Sequence, residues 1–320
     1  MCLDFHPQHP ALMAVGCYDG TVMVYDIRMK GSNKPIYQST VRTNKHTDPV
    51  WQVRWQEEEG QKNLNFYSIS SDGRVTNWTL MKNKLEAEEV VKLKLVIDQD
   101  KELVENKKEA FLYGLAGGMC FDFNKHEPHK FLVGTEEGKI HLCSKTYSGQ
   151  YLETYEGHYL AVYAVKWNHF HPRVFMSCSA DWTIKMWDSD LNRPVMTFDL
   201  GCAVGDIDWA PYSSTIFAAV SSSGQLYLYD LAQEKHRDLC QQSAMKKAKG
   251  LHVSFNPVDK IIVVGDDRGG VTSFILPSSL KKGPLQPDEK NNESHKGKTP
   301  QMLEVEKMEA FLSTQDKVVY

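Results

Sequence analysis

"SADWTIKMWD", residues 179–188, sets an Asp-Trp pair where a tight turn ordinarily carries Asp-Gly, then alternates through to Trp187-Asp188. Stretches of the same build recur along the chain. "AVGCYDGTVMVYD" ends in Tyr25-Asp26, and "FYSISSDGRVTNWTL" holds Asp72-Gly73 and then Trp78. "FLVGTEEGKIHLCS" holds Glu137-Gly138, "IFAAVSSSGQLYLYD" holds Ser223-Gly224, and "IIVVGDDRGGVTSFI" holds Arg268-Gly269. From the second turn residue to the strand-end residue the offset is five in all six: 20 to 25, 73 to 78, 138 to 143, 182 to 187, 224 to 229 and 269 to 274. An aromatic closes a short run ahead of each turn, at Phe5, Trp55, Phe123, Trp167, Trp209 and Phe255.

These runs alternate as strands do. In "TIKMWD" Ile184 and Met186 share one face and Lys185 and Trp187 the other. Asp-Gly between two such runs is a hairpin signal, because glycine adopts positive φ without a Cβ clash. Each unit therefore reads as a small antiparallel sheet with three strands and a variable fourth. The turns are 44, 42 and 45 residues apart over the last four units and 53 and 65 apart over the first three. A period of about 40–45 residues with four strands per repeat indicates an all-β β-propeller.

The pattern resembles WD40 repeats, with its best copy running from Gly157-His158 to Trp187-Asp188. In that family a His, a strand Ser or Thr, the turn Asp and the strand Trp form a buried hydrogen-bonded chain that locks a blade. The resemblance assigns these roles to His158, Ser177 or Ser179, Asp181 and Trp187, and in the second unit to His46, Asp72 and Trp78. The other units depart from it, with Cys143 and Phe274 where Trp is expected, so packing is expected to hold them instead. Further, "HTDPVWQVRW", "NLNFYSISSDGRVTNWTL", "GTEEGKIHLCS", "VFMSCSADWTIKMWD", "AVGDIDWAPYSSTIFAAV" and "IIVVGDDRGG" together resemble the propeller of dynein intermediate chains, most of all the axonemal outer-arm type. That likeness covers roughly residues 1–280, and the propeller itself is expected over residues 1–276. Six units are visible, so the expectation is part of a seven-bladed ring. The chain is read as a C-terminal portion or short isoform that lacks the family's light-chain-binding region.

Inside the propeller, residues 82–116 form a charged insert, in which "EEVVKLKLV" alternates like an outer strand. Residues 277–300, rich in Lys, Pro, Asn and Gly, read as a disordered linker. Residues 301–313 place Val305, Met308 and Leu312 at helical spacing, a short amphipathic helix ahead of a tail at 314–320. That helix suits docking either on its own propeller or on a partner chain.

Composition limits the function classes. The chain has 320 residues, 41% hydrophobic, and 37 basic against 41 acidic side chains give a net charge of −4. Such a balance offers no general electrostatic attraction to nucleic acid or to anionic membrane. Its seven cysteines are scattered and odd in number, as in a reducing compartment. No run approaches the about 20 apolar residues of a membrane helix. "NHFHPR" puts His169 and His171 two apart without the further ligands of a zinc site, and reads as a solvated turn. His158, Asp181 and a nearby Ser imitate a catalytic triad, but the same set recurs in the second unit, as a structural element would. The sequence therefore implies no enzyme, no cofactor and no metal.

The remaining candidates are surface residues. Trp182 replaces a turn glycine, and Tyr18, Arg74 and Arg268 occupy comparable turns, with Glu136 and Glu137 adding mixed charge. Trp and Arg are over-represented at binding hot spots. The resemblance implies a non-catalytic scaffold of a ciliary motor, located in the cytoplasm and on the axoneme. Its partners would be a dynein heavy chain, a second intermediate chain and light chains. A propeller adaptor such as a ubiquitin-ligase substrate receptor is the alternative.

Overall fold

The computed structural model describes residues 1–29, 34–57, 63–82, 84–95, 114–147, 150–245, 247–276, 280 and 299–315. Residues 96–113 of the expected insert, most of the expected linker and residues 316–320 lie outside the described set.

Among the described residues, six antiparallel sheets follow one another along the chain as the blades of a β-propeller, followed by one C-terminal α-helix. Blade 1 comprises β1 (Cys2–Phe5), β2 (Leu12–Gly16), β3 (Val22–Asp26) and β4 (Tyr37–Gln38). Blade 2 comprises β5 (Val50–Gln56), β6 (Asn65–Ser70), β7 (Arg74–Leu80) and β8 (Leu85–Lys92). Blade 3 comprises β9 (Gly118–Phe123), β10 (Lys130–Thr135), β11 (Ile140–Ser144) and β12 (Glu153–Tyr155). Blade 4 comprises β13 (Val162–Trp167), β14 (Val174–Ser179), β15 (Thr183–Asp188) and β16 (Pro194–Asp199). Blade 5 comprises β17 (Val204–Trp209), β18 (Ile216–Ser221), β19 (Gln225–Asp230) and β20 (Cys240–Ser243). Blade 6 has three strands, β21 (Gly250–Phe255), β22 (Ile261–Asp266) and β23 (Val271–Ile275). Helix α1 spans Pro300–Gln315 and so takes in positions 314 and 315 of the expected tail.

Every blade is a simple meander in which consecutive strands are neighbours. The second strands of blades 2, 4 and 5 are covered on both faces, polar side chains included. "NFYSIS", "VFMSCS" and "IFAAVS" are buried at every position. Burial alternates in outer strands such as β16, where Met196 and Phe198 point inward, and also in first strands such as β1. In four blades the first pair of strands slips register at one place, between Val50 and Gln52, Val162 and Ala164, Val204 and Asp206, and Gly250 and His252. A bulge there turns the extra side chain aside. Tyr163 and Leu251 sit at that position and are exposed.

The described residues divide into two compact units. In the first, Met1–Phe121 with Thr135–Glu137 and Leu142–Leu152, Ala14, Val22 and Val24 of blade 1 pack on Val53, Trp55, Phe66 and Trp78 of blade 2. In the second, Asp122–Gly134 with Gly138–His141 and Glu153–Tyr320, one core joins blades 4 and 5 and includes Met308 and Phe311 of α1. Another core joins blade 5 to blade 6 around Ala218, Val220, Val253 and Ile262. Trp78 and Trp187 are fully buried. Burying a side chain of that size contributes about 4–6 kcal/mol of apolar transfer.

One sequence expectation is corrected here. The "NHFHPR" turn is not solvated, for His171 is 2% exposed. Asn168 Oδ1 accepts the Phe170 and His171 amides, and the tight turn swings the His171 ring inward, where Nδ1 accepts the Arg173 N–H. Burial pushes His169 down to about 4 and lowers His171 as well. Phe5 also differs from its counterparts: it is 47% exposed, whereas the five other strand-closing aromatics are buried.

Candidate functional site

The turn between the second and third strands has one backbone solution in every blade. Its second residue takes positive φ at Gly20, Gly73, Gly138, Gly224 and Gly269, between 75° and 90°. Trp182 takes the same place at φ 76°. A non-glycine residue there carries a penalty of about 1–2 kcal/mol from its Cβ.

What holds blade 4 in that geometry is a buried polar chain. Trp187 Nε1 donates to Ser177 Oγ at 2.8 Å, and Ser177 Oγ lies 2.7 Å from His158 Nε2. His158 Nδ1 lies 2.9 Å from Asp181 Oδ2. Burial lowers the His158 pKa and keeps the ring neutral, against the pull of the Asp181 charge. The ring then donates from Nδ1 to Asp181 and accepts the Ser177 hydroxyl at Nε2. Asp181 also accepts the Tyr159 N–H, the Thr183 N–H and the Thr183 hydroxyl. Burial acts to raise the Asp181 pKa, but these donors and His158 outweigh it and the net shift is downward. Ser177 is thus the chain member. Ser179 instead accepts the Asp181 N–H and donates to the Leu160 carbonyl.

Blade 2 repeats the arrangement. Trp78 Nε1 donates to Ser68 Oγ at 2.7 Å, His46 Nε2 lies 2.7 Å from the same hydroxyl, and His46 Nδ1 lies 2.9 Å from Asp72. Here Arg74 joins in. Its Nη2 donates to Asp72 Oδ2 at 2.7 Å and to the Lys45 carbonyl, and its Nη1 donates to Asn44. Burial pushes Asp72 upward, yet His46 and Arg74 together hold it well below the usual carboxylate range. Arg74, expected on a partner surface, is therefore held inside the blade, with 13% of its side chain exposed. Its register two residues after Asp72 aims the fork at that carboxylate.

The other expected surface positions divide between the two units. In the first, Tyr18 is 70% exposed, Glu136 is exposed, and Glu137 Oε1 accepts the Gly117 N–H. In the second, Arg268 is exposed and its N–H donates to Asp266. Trp182 stands with a group of exposed apolar side chains that the sequence did not single out. Tyr159 is 87% exposed, and Leu160, Tyr163 and Trp182 are 52%, 41% and 54% exposed. The loop bearing Tyr159 and Leu160 is tied to the Trp182 turn through Asp181 and through the Ala180 N–H to the Ala161 carbonyl. Val162 pairs with Ser179, which brings the bulged Tyr163 to the same end of the sheet.

Further functional residues join one blade to the next. Asp4 Oδ2 accepts the Trp55 N–H at 2.9 Å, Asp122 Oδ2 the Trp167 N–H at 2.8 Å, and Asp208 Oδ2 the Phe255 N–H at 3.0 Å. Each Asp directly precedes a strand-closing aromatic, a signal present in the sequence and passed over.

Comparison with known proteins agrees with this geometry. The family "WD domain, G-beta repeat" matches residues 1–26 and 149–188. The chain is 49% identical over 315 residues to "Dynein intermediate chain 2, ciliary" of Heliocidaris crassispina, covering 98% of this chain and 44% of that protein. It is 49% identical over 285 residues to "Dynein, 78 kDa intermediate chain, flagellar outer arm" of Chlamydomonas reinhardtii, covering 88% of this chain and 41% of that one. Against "Dynein axonemal intermediate chain 1" of Bos taurus it is 47% identical over 310 residues, covering 96% and 43%. The chain thus spans less than half the length of these relatives. Among solved structures, the computationally designed Ika8 protein matches with a TM-score of 0.59 at 18% identity, over 86% of this chain and 70% of its own, a likeness of fold alone. Two locked blades in the WD40 manner, and near-half identity over almost all of its residues, place this chain in the dynein intermediate chain family.

Proposed function

We propose that this chain is a non-catalytic scaffold subunit of an axonemal outer-arm dynein, working in the cilium, and that its blades grip the tail of a heavy chain. The second intermediate chain and the light chains of the same motor are its further partners. The family and the relatives' ciliary and flagellar names support the setting.

The observation that carries the binding surface is Trp182. A strained, 54% exposed indole has no structural use at a turn that glycine fills five times elsewhere. Strain kept at a rigid exposed site points to binding, and an indole flanked by Tyr159, Leu160 and Tyr163 has the make-up of an interface centre. Tyr159, Leu160 and Trp182 sit on a loop and turn that the Asp181 carboxylate ties together, and Tyr163 on the bulge of β13, so the group is set before any partner arrives, which lowers the ordering cost of association.

Trp182→Gly tests this directly, because glycine suits the backbone and removes only the ring. Tagged chain expressed in ciliated cells should recover at least about fivefold less heavy chain when it carries Trp182→Gly, as for loss of an interface anchor. Undiminished recovery would remove this corner from the interface.

A further inference from the structure

Helix α1 lies at the other end of the sheets from Trp182. It packs on the turn between the first and second strands of blade 5, and Trp182 sits on the turn between the second and third of blade 4. One buried carboxylate dominates the contact. Glu304 is 2% exposed, and its Oε2 accepts the Ser214 N–H at 2.7 Å and the Ser213 hydroxyl at 3.3 Å, while the Ser214 hydroxyl is shared between Oε2 at 2.9 Å and the Glu304 carbonyl at 2.8 Å. Lys307 Nζ stands 3.7 Å from the same oxygen and donates to Ser213 Oγ at 3.0 Å. Four residues beyond Glu304, Met308 is fully buried, and seven beyond it Phe311 is 5% exposed; both join the core of Val174, Met186, Trp209 and Tyr229. Lys235 closes the far end, donating to Thr314 Oγ1 and lying 5.8 Å from the Phe311 ring centre.

The receiving turn is shaped by the blades. Asn168 of the preceding blade donates to the Ser214 carbonyl, Ser213 N–H donates to the Ala210 carbonyl, and Thr215 bonds Asp230. One backbone amide and two hydroxyls are therefore presented together whether or not a carboxylate is there. The helix lacks that independence. Most of a helix's stability in a protein comes from the packing of its apolar face, so α1, at 16 residues, owes much of its order to the slot.

We propose that the Ser213–Ser214 turn and the apolar slot beside it form a helix-docking site with a carboxylate-reading end. Its resident ligand is α1, held in cis and exchangeable. The site selects helices bearing a glutamate followed by large apolar side chains four and seven residues later. Specificity for glutamate comes from a charged Oε2 facing the Ser214 N–H, the Ser213 hydroxyl and a shared Ser214 hydroxyl, with Lys307 nearby. The glutamine amide supplies one carbonyl oxygen without the charge that strengthens these bonds. Tethering keeps the local concentration of α1 high, so a competing helix of the same pattern displaces it only at substantial concentration.

The test uses the full chain with Met308→Asp and Phe311→Asp, which frees the slot and leaves its walls intact. A fluorescent peptide of residues 299–315 should bind this variant saturably, with a dissociation constant of about 1–100 micromolar for a helix-in-groove contact of this size. The same peptide carrying Glu304→Gln should bind at least about tenfold more weakly, as for loss of a charge-assisted contact. Absence of saturable binding, or equal binding by the Glu304→Gln peptide, overturns the proposal. Hydrogen exchange on full chain carrying only Glu304→Gln guards against a misfolded double variant. Amides of 300–315 should exchange about tenfold faster while blades 4 and 5 keep their protection. Unchanged exchange in the helix, or loss of protection in the blades as well, counts against it. A dimer formed by traded helices carries the same contact in trans and supports it.

Discussion

Asp181 is the residue on which blade 4 turns. Its two oxygens accept from His158, the Tyr159 amide and both donors of Thr183. Asp181→Ala leaves four donors short of a partner, the His158 ring among the buried ones. At about 1–3 kcal/mol for a group left unsatisfied, and with water reaching the outer donors, the net loss should be about 3 kcal/mol. Calorimetry should record this as a fall in Tm of roughly 10 °C for a unit of this size. An unchanged melting curve would mean that the polar chain holds nothing. Trp182 should behave in the opposite sense. Trp182→Gly relieves a left-handed residue, so stability should hold or rise by up to about 1 kcal/mol while heavy-chain recovery falls. A clear loss of stability would show the ring to be part of the fold. The Asp was legible from sequence because its six-residue spacing to Trp187 repeats between Asp72 and Trp78, each pair with a histidine upstream, His158 and His46. The role of Arg74 was not legible. An arginine at a turn reads as a surface charge until the position of the carboxylate two residues before it is known.

At the scale of the blade, two ways of joining the second and third strands can be compared. In blades 2 and 4 a strand Phe stacks on the locked Trp, with Phe66–Trp78 at 15° and Phe175–Trp187 at 8° between planes. Blade 5 keeps the stack and drops the lock. Phe217 lies on Tyr229 at 4.7 Å between centres and 7° between planes. The three pairs are direct cross-strand neighbours, and in each the Phe comes twelve residues before its partner. That second spacing was as readable as the Trp-Asp one. It passed unused because aromatic residues in apolar strands look interchangeable until the register pairs them. A contrast follows that thermal unfolding of single variants can check. Trp187→Phe, which gives up the bond to Ser177, should cost about 2 kcal/mol. Tyr229→Phe should cost under about 0.5 kcal/mol, since the stack survives, whereas Phe217→Leu should cost about 1.5–3 kcal/mol. Equal effects from Trp187→Phe and Tyr229→Phe would erase the distinction between locked and stacked blades.

The whole chain carries one further consequence of burying so many polar groups, an acid-labile fold. Repeat spacing made the six blades legible, because each turn needs one backbone conformation. It said nothing of which histidines would be enclosed, since enclosure depends on how neighbouring sheets meet. His141 and His169 are pushed down to about 4, and burial also lowers His6, His158 and His171. Each of these binds its proton more weakly in the native state than in the unfolded chain, whose value lies near 6.5. Between those values the unfolded state holds more protons, so stability rises with pH across the window and is lost on acidification below about 6.5. Asp72 and Asp181 are shifted downward from 3.8, so their contribution is present above that value and disappears as pH falls through their native pKa. The two effects act in sequence, histidines first. At about 1.4 kcal/mol per unit, the histidines together should cost at least about 3 kcal/mol between pH 7 and pH 4.5, a fall in Tm of roughly 10 °C. His141→Gln removes one titrating ring and keeps an amide oxygen facing the Thr154 hydroxyl, so its melting temperature should decline less steeply over that interval. A wild-type Tm that stays level from pH 7 to 4.5, or an equal slope in His141→Gln, would show that these rings share their protons with the unfolded chain on even terms.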